Sequence, residues 1–320
     1  MGNGYWQKLL RVDLTNKKTS VEPIVEEDFK RFIGGAGLAA EILRREVPAK
    51  IDSYDPKNLA IFGSGPFQGP PIAGGAKFSM AGISPVTGTF GDTAAGADWG
   101  PALKDAGYDM LVIEGASETP IYLHIVDDRV EIRDASNLTG MDTYDTIDAI
   151  HKETEDKKLS IASIGPAGEK RVAIACIVVD KHSFAGRCGL GAVMGSKGLK
   201  AVAVRGTQTA KMSDPDRARE LIGQYQKKIL ATVKENEFRA HGTTALCESA
   251  EALGDMPIKY WEQDVWPEGA KKLGAPNYTG VLPIKYWEQD VWPEGAKKLG
   301  APNYTKVLNA KPYPCKFCPV

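Results

Sequence analysis

Near the end of the 320-residue chain, Cys315 and Cys318 in "PCKFCPV" stand two residues apart, a spacing that serves a metal cluster, a zinc site or a redox dithiol. Zinc needs a second ligand pair, and His124, His151, His182 and His241 are scattered with no partner at ligand spacing. A thioredoxin-type dithiol wants its first cysteine at the start of a helix with chain after it, whereas only Pro319 and Val320 follow here. An iron-sulfur cluster needs four ligands, and a Cys-Pro context with further cysteines downstream is a common arrangement for one. Two free thiols on a tail is the plain alternative. The total of five cysteines, odd and scattered, makes no disulfide framework, and Cys176 and Cys247 read as buried apolar residues.

Three glycine-dense segments offer a second kind of chemistry: "PPIAGGAKFSMAGISPVTG" (70–88), "TAAGADWG" (93–100) and "SFAGRCGLGAVMGSKGLKAVAVRG" (183–206). Glycine lets main-chain N–H and C=O groups approach a ligand closely, so several such loops in one domain suit a large, polar, phosphate-bearing ligand. The competing reading is that the glycines only serve turns. The third segment is not a nucleotide loop. Gly189, Gly191 and Gly195 miss the Gly-x-Gly-x-x-Gly spacing, the strand comes after them, and Gly-Ser-Lys reverses the P-loop order.

The elements that must position these segments come in two similar sets. "QKLLRVDLTNKKTSVEPI" predicts a hairpin turning at Asn16-Lys17. A helix follows in "EEDFKRFIGGAGLAAEILRREV", its start interrupted by Gly34, Gly35 and Gly37, and then "NLAIFGSGP", a buried strand stopped by Gly-Pro. Hairpin, helix and strand return in "IYLHIVDDRVEIRD", "DTYDTIDAIHKETED" and "KLSIASIGPAGE". Asn58–Gly69 and Lys158–Glu169 align 100 residues apart, sharing Leu59/Leu159, Ile61/Ile161, Gly65/Gly165 and Pro66/Pro166. The expected fold is α+β: an N-terminal domain (1–208) of two similar halves with mostly antiparallel sheets, followed by the start of a mainly helical domain (209–320). Asp214 or Ser213 can cap the first helix of that second region. Residues 257–282 recur as 283–308, differing only at Gly280 against Lys306, so one copy reads as surplus to the fold.

Forty basic and 41 acidic residues, a net charge of −1 and no block of like charge argue against nucleic acid or an anionic membrane as partner. No apolar run reaches the ~18 residues of a membrane span, the N-terminus lacks the apolar core of a signal peptide, and Trp6 spoils a myristoylation signal. The expectation is a soluble cytoplasmic protein.

"GGAGLAAEIL", "SPVTGTF", "GPALKDAGYDMLVIEG", "VEIRDAS", "ASIGPAGE" and "AGRCGLGAVMGSKGLKAVAVRG", followed by "PCKFCP", together resemble the aldehyde:ferredoxin oxidoreductase family. These are tungsten, sometimes molybdenum, bis-pterin enzymes that include the tungsten subunit of class II benzoyl-coenzyme A reductases. The resemblance is dense over residues 5–207 and looser beyond. It implies that the first domain is the base on which two pterin dithiolenes clasp the metal, so that no protein cysteine is needed at tungsten. It also implies a magnesium ion bridging the pterin phosphates and taking main-chain carbonyls. Carried over by position, the basic pterin contact falls on Ala76 or Lys77, of which Lys77 is the chemically sensible one. The second segment supplies Ala94 and Gly96, and the third Ser183, Phe184, Gly186 and Arg187. Founding members place Asn at the position of Ala94 and Arg at that of Ser183, which suggests a branch remote from the simple aldehyde oxidoreductases. Cys315 and Cys318 match the first two ligands of the family's 4Fe-4S motif, whose third would lie two residues beyond Val320.

The implied activity is oxidation of an aldehyde to its carboxylate, or a related low-potential two-electron reaction, with electrons passing singly through the cluster to ferredoxin or an iron-sulfur partner subunit. This chain alone is expected to be inactive, its acid/base residues being unassigned. The rivals are a non-catalytic module without cofactor and a zinc adaptor completed by a partner chain. The substrate, tungsten against molybdenum, and a homo-oligomer are left open.

Overall fold

A computed structural model describes residues 4–233, 245–256, 258, 262–263 and 265–274. The chain divides into two compact units between Ile222 and Gly223, and the first holds the two sheets. Its hairpins form where the turn chemistry predicts. β1 (Lys8–Asp13) and β2 (Lys18–Pro23) join across a turn with Lys17 at φ +52°. β7 (Ile121–Val126) and β8 (Arg129–Asp134) join across Asp127-Asp128 with Asp127 at φ +52°.

The helix expected after the first hairpin is two helices. α1 (Glu26–Phe32) ends where Ile33 turns to φ +66°, and α2 (Gly35–Glu46) starts afresh. Gly34, at φ +145°, makes the corner: a Cβ there would stand 2.7 Å from the Ser64 carbonyl, which receives the Gly35 amide. In the second half α4 (Thr143–Thr154) is single and capped by the Asp142 carboxylate, which accepts from the Asp145 amide at 2.9 Å.

Two six-stranded sheets result. The first runs β2-β1-β6-β3-β4-β5, with β3 (Ala60–Gly63), β4 (Phe78–Ile83), β5 (Phe90–Ala95) and β6 (Met110–Glu114). The second, read in the same sense, runs β8-β7-β12-β9-β10-β11, with β9 (Ser160–Ser163), β10 (Ile177–Val179), β11 (Ser183–Ala185) and β12 (Leu199–Arg205). Each sheet has one parallel pair at the same place, β1 with β6 and β7 with β12, and all other pairs are antiparallel. The α+β duplication read from the sequence is therefore a duplication of topology, strand for strand.

One face of each sheet contributes to a shared core, with Phe62, Phe78, Leu111 and Ile113 from the first and Ile125, Ala162, Ile177 and Val202 from the second. Two short helices, α3 (Trp99–Asp105) and α6 (Leu190–Ser196), lie in that core between the two sheets. α3 packs on β9 and β12 of the second sheet and on β4 of the first, and α6 on β3, β4 and β5 of the first and on β12 of the second. The Trp99 indole donates to the Val202 carbonyl at 2.9 Å while its ring lies against Phe62 and Phe78. α1 and α2 cover the outer face of the first sheet, α4 that of the second. The four-residue helix α5 (Pro166–Glu169) begins at the Gly-Pro that stops β9.

α7 (Pro215–Val233) begins at Asp214, which accepts from the Arg217 amide at 2.9 Å. In the second unit, short helices cover Cys247–Ala252 and Pro267–Leu273. No helix among the described residues is long and apolar enough to cross a membrane. One expectation is corrected: Cys176 and Cys247 are half-buried, not buried. Cys176 lies in the loop that leads into β10, so its chain has not yet entered the sheet.

Candidate cofactor site

The ladder registers fix which residues of the two halves correspond. Phe62 pairs with Met80, which pairs with Thr93; Ala162 pairs with Val179, which pairs with Ser183. Thr93 therefore corresponds to Ser183, Ala94 to Phe184, Gly96 to Gly186 and Ala97 to Arg187. The second and third glycine segments, found separately in the sequence, are one structure built twice: an edge strand running into a glycine loop and then into a short core helix. The edge strands β5 and β11 lie against each other, and the loop after β11 rests on β5 through Arg187 and Thr93.

Each candidate residue has a place in this arrangement. Ala94 is exposed on β5 opposite Ser79, and Gly96 is buried just past the strand. Ser183 is half-buried and Phe184 is 54% exposed on β11, a large apolar ring left in solvent. Gly186 and Arg187 are exposed, and a Cβ on Gly186 would meet no atom within 4 Å. Lys77 is exposed immediately before β4, and its carbonyl is held by the buried side-chain amide of Gln68. Lys77 is thus fixed by its main chain while its ammonium faces solvent. Gly65 and Gly74 also border open space. Cys315 and Cys318 lie outside the described residues, as do the whole second copy of the doubled segment and half of the first. Among the described residues no group of three or more His, Cys, Asp or Glu side chains could hold a metal ion.

The loops are held by residues that motif reading missed. The Arg187 amide donates to Thr93 Oγ1 at 3.1 Å, and Ser84 Oγ donates to the Cys188 carbonyl at 2.9 Å. The Asp180 carboxylate accepts from Ser160 Oγ at 2.5 Å and the Ile161 amide at 2.8 Å, and faces the Asp98 amide. Burial pushes the Asp180 carboxyl above the usual carboxylate range, against the pull of those donors. Thr93 opens a quoted glycine segment, but nothing in the linear sequence tells that its hydroxyl reaches a loop 94 residues away.

Chemically, the arrangement offers main-chain groups on two equivalent loops, cations at Lys77 and Arg187, and glycine-bordered open space. That donor set fits a large anionic cofactor better than a bare metal ion.

Residues 9–206 match the family described as aldehyde ferredoxin oxidoreductase, N-terminal domain, so the class is the opening domain of an oxidoreductase family. The chain is 37% identical over 272 residues to the tungsten-containing aldehyde ferredoxin oxidoreductase of Pyrococcus furiosus, a match that covers 85% of this chain and 45% of that protein. It is 34% identical over 277 residues to the aliphatic sulfonate oxidoreductase, WOR-like subunit, of the same organism, covering 81% and 44%. Among solved structures, the active site complex BamBC of benzoyl coenzyme A reductase with 1,5-dienoyl-CoA aligns with a TM-score of 0.69 at 38% identity, covering 71% of this chain and 35% of that one. The chain belongs to the aldehyde ferredoxin oxidoreductase family. It spans about half the length of the curated relatives it matches.

Proposed function

We propose that this chain is the cofactor-clasping part of a tungsten, or molybdenum, bis-pterin oxidoreductase that oxidises an aldehyde to its carboxylate. The observation that carries this reading is the pair of equivalent glycine loops that follow the adjoining strands β5 and β11, since a cofactor of two like pterins asks for two like seats. When bound, the cofactor would supply the two-electron redox chemistry for oxidation of an aldehyde and water to a carboxylate.

The chain's own residues bind and orient it. Lys77 and Arg187 place positive charge against pterin phosphates, Lys77 as a point charge and Arg187 with a planar fork. Gly96 and Gly186 let the main chain approach the two pterins, Ser183 offers a hydroxyl, and Phe184 gives a ring face. Carbonyl oxygens at the equivalent positions Ala94 and Phe184 would offer ligands to a magnesium ion bound with the cofactor. Cys315 and Cys318 would be two of four ligands to a 4Fe-4S cluster, passing electrons singly to ferredoxin or to an iron-sulfur partner subunit in the cytoplasm. The likeness to the benzoyl coenzyme A reductase complex favours a second reading at the same site, a low-potential two-electron reaction on an acyl substrate.

The test is to produce the full-length protein anaerobically with tungstate or molybdate and measure metal, iron and aldehyde-dependent viologen reduction. Stoichiometric metal with reduction by an aldehyde is expected. Metal without aldehyde turnover would move the reading to the acyl reaction, and absence of both metal and pterin would overturn it.

A further inference from the structure

Each glycine loop is held by the other half of the domain. The loop after β11 belongs to the second half, yet its Arg187 amide bonds to Thr93, on β5 of the first half, and its Cys188 carbonyl accepts from Ser84, which follows β4 of the first half. The loop after β5 belongs to the first half, yet its Asp98 faces Asp180 at the β10–β11 turn of the second, the amide attracting that carboxylate and the Asp98 side chain opposing it as a like charge. Asp180 is itself fixed: it bonds the hydroxyl of Ser160 and the amide of Ile161, and its own amide donates to the Ile161 carbonyl at 3.1 Å.

The brace is not a by-product of the duplication. Ser183, at the position of Thr93, has its hydroxyl 3.2 Å from its neighbour His182, and Ala81, at the position of Asp180, has no polar side chain to offer. There is little slack between the parts. A Cβ on Gly91 of β5 would stand 2.8 Å from the Cys188 Cβ, so the second loop rests directly on the strand that leads into the first. Both loops contain a non-glycine residue in the left-handed region, Ala97 at φ +69° and Cys188 at φ +59°, a conformation kept only where the surroundings impose it.

We propose that Thr93 and Asp180 are positioning residues that join the two loops into a single clasp, so that releasing one loop releases the other and lowers retention of the cofactor. The retention clause rests on the cofactor reading above, whereas the coupling of the loops does not. Neither residue touches the ligand in this account. Each acts through a main-chain amide of the loop it holds.

The experiment uses the full-length protein with Thr93→Val, Thr93→Ser and Asp180→Ala, reading amide hydrogen exchange at Asp98 and Arg187 and pterin per polypeptide. Thr93→Val is expected to speed exchange about tenfold at both amides, the equivalent of one lost bond, while amides of β3 and β12 keep their rates. Asp180→Ala is expected to do the same from the other side. Pterin occupancy should fall severalfold in both and return in Thr93→Ser, which restores the hydroxyl. Faster exchange at Arg187 alone would show independent loops and overturn the proposal, as would a uniform rise across the sheets or a loss in Thr93→Ser equal to that in Thr93→Val. If the unmodified protein carries no pterin, the cofactor reading fails, and the two exchange rates still decide the coupling.

Discussion

The two halves of the domain share every strand of their topology and almost none of their buried polar chemistry. Asp109 and Lys200 stand at corresponding positions, and their carbonyls receive corresponding amides, Ser64 at 2.9 Å and Ile164 at 3.0 Å. Yet one side chain is an anion and the other a cation. In the first half the Asp109 carboxylate, 1% exposed, pairs with Lys104 and accepts the amides of Trp6 and Gln7 at 2.9 and 2.6 Å, tying the start of the chain to the sheet. In the second, Lys200 pairs with Glu169 and donates to the Met141 carbonyl at 2.9 Å, tying α5 and the loop before α4. The main chain of a duplicated fold is held by its ladders, so each half could find its own way of satisfying the charge beneath it.

That contrast can be broken at graded cost. The largest effect is expected from Asp109→Ala, which strands the Lys104 ammonium and the amides that Asp109 accepts. A loss of about 3–5 kcal/mol in denaturant unfolding is expected, with a smaller loss when Lys104→Met is made as well.

A second difference lies three residues earlier, where Ala106 of the first half corresponds to Lys197 of the second. The Lys197 ammonium is 1% exposed, donates to the carbonyls of Pro56 and Gly115, and is pushed down to about 8 by burial. Between pH 8 and the ordinary 10.5 the unfolded chain keeps this proton and the folded one gives it up. Stability should therefore rise with pH across that window, by up to about 3 kcal/mol. Lys197→Met should remove this contribution from a pH series of unfolding midpoints.

The core helices give a third test. A Cβ on Gly191 would stand 2.5 Å from the Cys176 carbonyl, whereas one on the corresponding Gly100 would first meet the Gln68 side-chain nitrogen at 2.7 Å. Main chain cannot step aside as a side-chain end can. Gly191→Ala should cost about 1–3 kcal/mol, and Gly100→Ala measurably less in the same assay. The smallest effect falls on the outer helices. Asp142→Ala removes the cap of α4 at about 1 kcal/mol, while α2, headed by Gly34, has no side-chain cap to lose.

The duplication was legible where local chemistry writes it. Asn16-Lys17 and Asp127-Asp128 mark two hairpin turns, and the Gly-Pro pairs at 65–66 and 165–166 mark the ends of two buried strands. The break at Ile33 was only half legible. The glycines announced an interruption, but the stretch before them forms a helix of its own because Phe29 finds a place beside Leu38 and Ile42 under the first sheet. Reading glycine density as ligand loops hid α3 and α6, whose formation depends on the core that Trp99 and Leu190 enter rather than on helix propensity. Family motifs pointed to Ala94, Gly96, Phe184 and Gly186 separately, and only the strand registers reveal them as two equivalent pairs. Thr93 was illegible because its partner Arg187 lies in the opposite half of the domain, and Asp180 because it reaches back about 20 residues to Ser160 and Ile161 as well as across to Asp98.

The central claim, that the two loops are twin seats of one cofactor, is tested most directly by counting pterins against polypeptide in the purified full-length protein. The account predicts two pterins and one metal per chain, with both pterins lost together when Thr93→Val opens the clasp. A single pterin per chain, or two that are lost independently, would contradict it.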